Sequence, residues 1–299
     1  MKRFSSNGYH PLGRNRLLAE IEASGLSIVG PVREDNQDAI LLPDESIPQP
    51  AGSLFAVADG MGGYTHGAIA SALALETLFT ALQQSPNQKP EKALRRGIEA
   101  ANLNIFKAAQ NLGVGRMGTT LTAAYICGSS LYLAHVGDSR AYLMRQGKIS
   151  CLTNDHTLVG DMVRARLIAP AKVRTHAQRS ILTRALGLAM FIQPDVEQFK
   201  LEAGDRLILC SDGVWSALQD EEIAQIAGQK ARAETLGQAL VDQAVAHETD
   251  DNCSAVVMHV QGFVEIESPA DSQNGLPKQT SWLRKIFGLN RLPVEQYQK

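Results

Sequence analysis

The order of strand-like and helix-like segments constrains this chain more than any single motif. Three β-rich runs follow one another between Thr119 and Leu152, "TTLTAAYIC", "SLYLAHVGD" and "RAYLMRQGKISCL", with Gly-Ser and Gln-Gly turns between them. Such runs and turns predict an antiparallel meander. Two helical patterns precede it. "HGAIASALALETLFTALQQ" has no breaker after Gly67, and "EKALRRGIEAANLNIFKAAQ" puts Leu94, Ile98, Ala101, Ile105 and Ala108 on one face. Two more follow it, "DEEIAQIAGQ" and "ARAETLGQALVDQAVAH". Further strands are expected at "LSIVG", "DAILL", "SLFAVAD", "QPDVEQFKL", "DRLILCS" and "NCSAVVMHV". Strands and helices are segregated rather than alternating singly, which predicts α+β. Two mainly antiparallel sheets face to face, flanked by helix pairs, use every element: an α-β-β-α sandwich.

Between meander and second helix pair, "DHTLVGDMVRARLIAP" predicts a helix ending at Pro170, and "AKVRTHAQRSILTRALG" a basic surface flap. Residues 1–22 are expected as a loose or weakly helical arm, 23–264 as the folded domain, and 265–299 as a polar linker with a short amphipathic tail, "SWLRKIFGL". A chain of 299 residues has ample length for such a core, and a net charge of −2 gives no electrostatic case for nucleic acid. The four cysteines form no C-x-x-C pair, and buried reduced thiols are expected rather than a disulfide or zinc site. The N-terminus lacks the apolar region of a signal peptide, and no apolar stretch approaches the ~20 residues of a membrane span. A soluble cytoplasmic protein is the expectation.

Carboxylates stand at the ends of apolar runs. Asp59 follows "FAVA", Asp138 follows "LAHVG", Asp212 follows "LCS", Asp38 closes "VREDNQD", and Asp250-Asp251 precede "NCSAVV". An unpaired buried carboxylate is very costly, whereas acids from several strand ends can share a cation. An all-oxygen set suits Mg²⁺ or Mn²⁺ and not zinc. Glycine after Asp59 lets the Gly60 carbonyl approach such an ion. Any one Asp-Gly pair, taken alone, is better read as a hairpin turn. The coexistence of these pieces, each just past a strand, argues for a common site.

Seven motifs in order carry a resemblance. They are G-x-x-R-x-x-N-Q-D (Gly30 to Asp38), "ADGMGG" (Ala58 to Gly63), "GTT" (Gly118 to Thr120), "GDSRAY" (Gly137 to Tyr142), "LTRALG" (Leu182 to Gly187), "CSDGVW" (Cys210 to Trp215) and "DDNCSAVV" (Asp250 to Val257). From about Leu26 to Val260 the chain resembles the bacterial metal-dependent Ser/Thr protein phosphatases of type 2C. The resemblance implies an α-β-β-α sandwich with Mn²⁺ or Mg²⁺ between the sheets, two ions and in many bacterial members a third. It implies that Asp59 bridges two ions and Gly60 lends its carbonyl to the second. Asp212 and Asp251 then hold the first ion, and Asp38 serves the second directly or through water. Asp138 is the candidate for the third, with Asp212 shared, and Arg33 clamps the phosphate. The implied reaction is hydrolysis of phosphoserine and phosphothreonine in proteins by a metal-bridged hydroxide. Phosphoprotein substrates and a cognate Ser/Thr kinase are the implied partners, and a monomer is expected.

The chain departs from the family pattern at Met61, where animal members carry a histidine thought to protonate the leaving group. His66 does not match that motif and is expected to face the start of its helix, and His156 to be a structural hydrogen-bonder. The leaving group is then expected to take its proton from metal-bound water. Gln37 stands where some relatives have Glu. The flap arginines, Arg164, Arg166, Arg174 and Arg179, are equally readable as phosphopeptide contacts or as a solvated basic face. A catalytically dead binding module would have lost one of the metal acids, and none of the matched acids is missing. A haloacid-dehalogenase-type phosphatase needs a D-x-D pair after a strand, and neither Asp-Gly site has one.

Overall fold

The computed structural model describes residues 15–43, 52–63 and 65–267. The chain runs β1 (Asn15–Ile28), β2 (Asp38–Leu41), β3 (Ser53–Gly62), α1 (His66–Gln83), α2 (Pro90–Leu112), β4 (Met117–Thr119), β5 (Leu121–Cys127), β6 (Ser130–Val136), β7 (Arg140–Arg145) and β8 (Lys148–Cys151). It continues through α3 (Leu158–Arg164), a 3₁₀ turn (Pro170–Lys172), β9 (Asp195–Lys200), β10 (Arg206–Cys210), α4 (Asp212–Trp215), α5 (Asp220–Ala227), α6 (Ala233–Ala246) and β11 (Cys253–Glu267). One sheet has the order β1-β11-β10-β7-β8, and the other β2-β3-β5-β6-β9 with β4 added on β3. Every named strand pairing is antiparallel.

Three cores separate four layers, and strand alternation assigns side chains to them. On β3, Phe55 and Val57 join Leu207, Leu209, Val256 and Met258 between the sheets. Their neighbours Leu54, Ala56 and Ala58 face the other way, against Leu75, Leu78, Leu94, Ile98 and Ile105 of α1 and α2. Ile208, Cys210, Ala255 and Val257 pack outward with Leu236, Leu240 and Val241 of α6. A one-residue slip would invert each set, so burial on both faces fixes the register. It also aims the site: continuing the parity of 55 and 57, Asp59 faces between the sheets at their end.

The structure differs from expectation at the chain's beginning. Residues 15–22, expected as part of a loose arm, are the first half of β1, and β11 runs on to Glu267 to meet them. Leu17 stands opposite Glu265 and Leu18 opposite Val264, so each segment supplies the ladder that the other lacks. The tail from 268 onward lies outside the described residues. The predicted helix over 155–170 is reduced to Leu158–Arg164, capped by Thr157 Oγ1 accepting from Gly160 N at 2.9 Å. Among the described residues, no helix is long and apolar enough to cross a membrane. Cys210 and Cys253 are buried free thiols and Cys151 is an exposed one.

Candidate metal centre

Neither Asp-Gly pair makes a hairpin turn. Asp59-Gly60 stays inside β3, which continues to Gly62, and Asp212-Gly213 opens the single-turn helix α4. Gly60 is required sterically. A Cβ there would lie 2.2 Å from the carbonyl oxygen of Gly67, at the start of α1, and 2.5 Å from that of Gln37. The sequence-based reason for this glycine, access of its carbonyl to an ion, is thus joined by a packing reason. Gly30 carries φ of +79°, with Asp251 O 2.2 Å from where its Cβ would stand.

Asp59 is clamped through its backbone by the Gly-Thr-Thr motif. Its N–H donates to Thr120 Oγ1 at 3.0 Å, and its carbonyl accepts from Thr119 Oγ1 at 2.9 Å and Thr120 N at 2.8 Å. Asp38 stands opposite Asp59 across the β2–β3 ladder. Asn252 ties the 29–37 loop to the start of β11: its Nδ2 donates to Val29 O at 2.7 Å and Asp35 O at 3.0 Å, and its Oδ1 accepts from Gln37 N at 2.9 Å. That loop carries Arg33, whose Nη2 donates to Asp251 Oδ2 at 2.7 Å and Nε to Asp250 O at 3.2 Å.

These elements surround a cavity of about 570 Å³. Of the expected site residues, Arg33, Asp59, Gly60, Asp138, Asp212 and Asp251 line it. Asp38 is set back from the wall, its Oδ2 accepting from Ser211 Oγ at 2.7 Å. Asp251 lines the cavity and Asp250 does not. The hollow beside Phe79 and Tyr125 holds only about 30 Å³, too little for a phosphorylated side chain.

The acids resist ionising together. Burial pushes Asp38 up to about 7, against hydrogen bonds from Ser254 and Ser211 and with the help of Asp212 and Asp251. Burial, then Asp251, pushes Asp212 up to about 6. Asp59 is raised well above the carboxylate range by burial and by Asp38, Asp212 and Asp138, and Asp138 by burial, Asp212 and Asp155. Burial disfavours charge on Arg33, but Asp251, Asp250 and Asp212 outweigh it and hold the guanidinium more firmly protonated.

A divalent cation fits this donor set. All the donors are hard oxygens, and Asp212 Oδ1 is buried with no hydrogen-bond partner among the described residues. The carboxylates are not closed into a ready cage: among the described residues no three His, Cys, Asp or Glu side chains are gathered closely enough to hold an ion as they stand. Asp38 and Asp251 are each turned into a hydrogen bond, to Ser211 and Arg33.

Met61 lines the cavity. His66 opens α1, with Nδ1 2.6 Å from Gly63 O. His156 is fully buried: Nδ1 accepts from Gly137 N and Nε2 donates to Asp195, each at 3.1 Å. It is a structural hydrogen-bonder, as expected. None of the four flap arginines lines the cavity, to which the flap contributes Ser180 and Leu182. Arg164 donates to Asp155 O, and Arg174 to Trp215 O, Leu218 O and Asp220. Sequence reasoning missed the supports Thr120, Ser211, Asn252 and Trp215. Their signal was adjacency, because Ser211, Trp215 and Asn252 lie inside acid-bearing motifs and Thr120 inside the Gly-Thr-Thr motif.

Comparison with known proteins agrees with the geometry. The family model described as protein phosphatase 2C matches residues 24–253. The Ser/Thr protein phosphatase PstP of Mycobacterium tuberculosis is 35% identical over 239 residues, 78% of this chain but 44% of that longer protein. The Ser/Thr phosphatase stp of Listeria monocytogenes is 30% identical over 77% of this chain and 92% of its own length. The structure of the PstP catalytic domain in complex with two manganese ions superposes with a TM-score of 0.71 at 31% identity, covering 81% of this chain and 98% of that one. Stp1 of Staphylococcus aureus superposes with a TM-score of 0.77 at 29% identity, over 86% of this chain and 100% of that one.

Proposed function

The chain belongs to the protein phosphatase 2C family, as a bacterial metal-dependent Ser/Thr protein phosphatase, and from that premise we propose which of its residues do the work. Asp59, Asp212 and Asp251, with the Gly60 carbonyl, hold the two principal divalent ions. Asp38 serves them from behind the wall, and Asp138 takes a further ion together with Asp212. The observation that carries this reading is the orphaned Asp212 Oδ1, buried in a wall of carboxylates that raise one another's pKa. When bound, Mn²⁺ or Mg²⁺ supplies the activated water and the positive charge that opposes the phosphoryl oxygens.

Arg33 holds the substrate. A guanidinium has five N–H donors. Nε and one N–H of Nη2 are engaged with Asp250 and Asp251, which leaves the Nη1/Nη2 end for two phosphate oxygens. A planar fork held from behind fixes the phosphorus for in-line attack. Met61 has no proton to give, so no side chain at that position protonates the leaving alkoxide. Burial pushes the Cys210 thiol far above the ordinary range and the Cys253 thiol up to about 11. They are therefore core thiols and not nucleophiles.

Phosphoproteins made by a Ser/Thr kinase are the proposed substrates, and a cytoplasmic monomer the proposed form. The catalytic unit is the expected 23–264 together with residues 15–22, which pair with its last strand. The test is hydrolysis of an aryl phosphate and of phosphothreonine peptides with Mn²⁺, Mg²⁺ or EDTA. Activity is expected only with metal and is expected to be lost in Asp59→Ala and Asp212→Ala. Full activity in EDTA, or in either variant, would refute the assignment.

A further inference from the structure

Asp138 has a support that the metal chemistry does not account for. Its main-chain carbonyl accepts a 2.8 Å hydrogen bond from Trp215 Nε1. The carbonyl and Cα of a residue share one planar peptide unit. Holding that oxygen therefore limits the direction in which the Asp138 side chain leaves the β6–β7 turn. Trp215 is 2% exposed and ends the helix that Asp212 begins, so one turn of backbone joins the indole to a second acid of the cavity.

The indole is held in turn. The Arg140 guanidinium lies 3.6 Å from the ring centroid and is fixed there by two bonds to Asp155, at 2.9 and 2.7 Å. A second guanidinium comes from the flap. Arg174 Nε donates to Trp215 O at 2.9 Å and Leu218 O at 3.1 Å, and its Nη2 to Asp220 Oδ1 at 2.6 Å. Its Cζ is 5.9 Å from the Trp215 centroid. Next to it Val173 is buried in the outer core with Trp215, so the flap is anchored at this point. Further on, the same segment lines the cavity through Ser180 and Leu182.

We propose that Trp215 is a positioning residue for Asp138 and that Arg174 links its pose to the flap, so that contacts made on the flap are felt at Asp138. The proposal rests on the role assigned to Asp138 above. It gives a flap arginine a function that needs no contact with substrate. The side chain faces the protein, 13% exposed, and its donors are directed at Trp215, Leu218 and Asp220.

A double-mutant cycle on the full chain tests it, with Trp215→Phe, Asp138→Ala and the pair. Readouts are kcat and KM on an aryl phosphate, Mn²⁺ binding by calorimetry, and the melting temperature in EDTA. Trp215→Phe keeps a ring under Arg140 and removes the N–H. Its kcat is expected to fall about 3- to 10-fold, the scale of one hydrogen bond, with KM little changed. It should weaken the same Mn²⁺ binding event that Asp138→Ala removes, and the pair should be no slower than Asp138→Ala alone. Arg174→Met should show the same signature in weaker form, and it serves if Trp215→Phe does not fold. Multiplicative losses in the pair, or a lowered melting temperature with kcat and Mn²⁺ binding unchanged, would reduce Trp215 to a packing residue and overturn the relay alone. If Asp138→Ala itself changed neither turnover nor Mn²⁺ binding, the assigned role of Asp138 would fall and the relay with it.

Discussion

Replacing Arg33 by alanine separates a substrate contact from a structural one. In the fold Arg33 makes one ion pair, to Asp251 at 2.7 Å, with side-chain exposures of 53% and 29%. A pair this open to water contributes about 0–1 kcal/mol, so Arg33→Ala should shift the melting temperature of the metal-free protein by no more than a few degrees. Against a phosphate dianion the same guanidinium offers its free Nη1/Nη2 end. Charge-assisted hydrogen bonds of that kind are worth about 1.5–3 kcal/mol, which is roughly 10- to 150-fold in kcat/KM. Arg33→Lys keeps the charge and loses the fork, and should recover only part of this. The assay is steady-state hydrolysis of an aryl phosphate at saturating Mn²⁺, with Mn²⁺ affinity measured by calorimetry. Because Arg33 also holds Asp251, some change in metal affinity is expected, smaller than the loss in kcat/KM. Wild-type kcat/KM with a large loss of Mn²⁺ affinity would show that Arg33 serves Asp251 and not the phosphate.

Four further outcomes follow from the geometry. Gly60→Ala, with its new Cβ 2.2 Å from Gly67 O and 2.5 Å from Gln37 O, meets backbone that no rotamer can move; it should cost about 1–3 kcal/mol or more in denaturant melts and lower activity. Arg140→Met leaves Asp155 buried and unpaired and should cost about 3–5 kcal/mol, whereas Arg140→Met with Asp155→Leu should recover much of it, as chemical denaturation would read. In EDTA the raised pKa values of Asp38 (about 7) and Asp212 (about 6) make the folded state bind protons more tightly than the unfolded one. Their contribution is fully present below about pH 4 and lost as pH rises to 6 and 7, so the melting temperature should fall from about pH 4 to 7 and then level, and Mn²⁺ should offset the fall. Truncation after Glu267, where β11 ends, should leave aryl phosphate hydrolysis unchanged, while a cut at 264 removes residues that pair with β1 and should lower stability as well.

The layer order, and the acids that the fold brings to one cavity, were legible in the sequence alone. Both are local: alternation on β3 and β5 and the face of α2 can be read within a few residues, and an acid after an apolar run marks a strand end without knowledge of its partner. Partner choice is not local. That Asn15 to Glu22 is strand and not arm depends on pairing with residues 259–267, more than two hundred positions away. The same holds for Asn252 pinning the 29–37 loop and for Ser211 meeting Asp38, contacts spanning 173 positions or more. The flap shows the limit best. Arg164, Arg166, Arg174 and Arg179 look alike in sequence, yet Arg174 turns inward to Trp215 and Asp220 while Arg166 stays exposed. Only the packed structure decides this, because which guanidinium finds buried carbonyls and a carboxylate depends on how the flap lies against α4 and α5. Charge and composition tell a solvated arginine from a buried leucine, but they do not tell one arginine from the next.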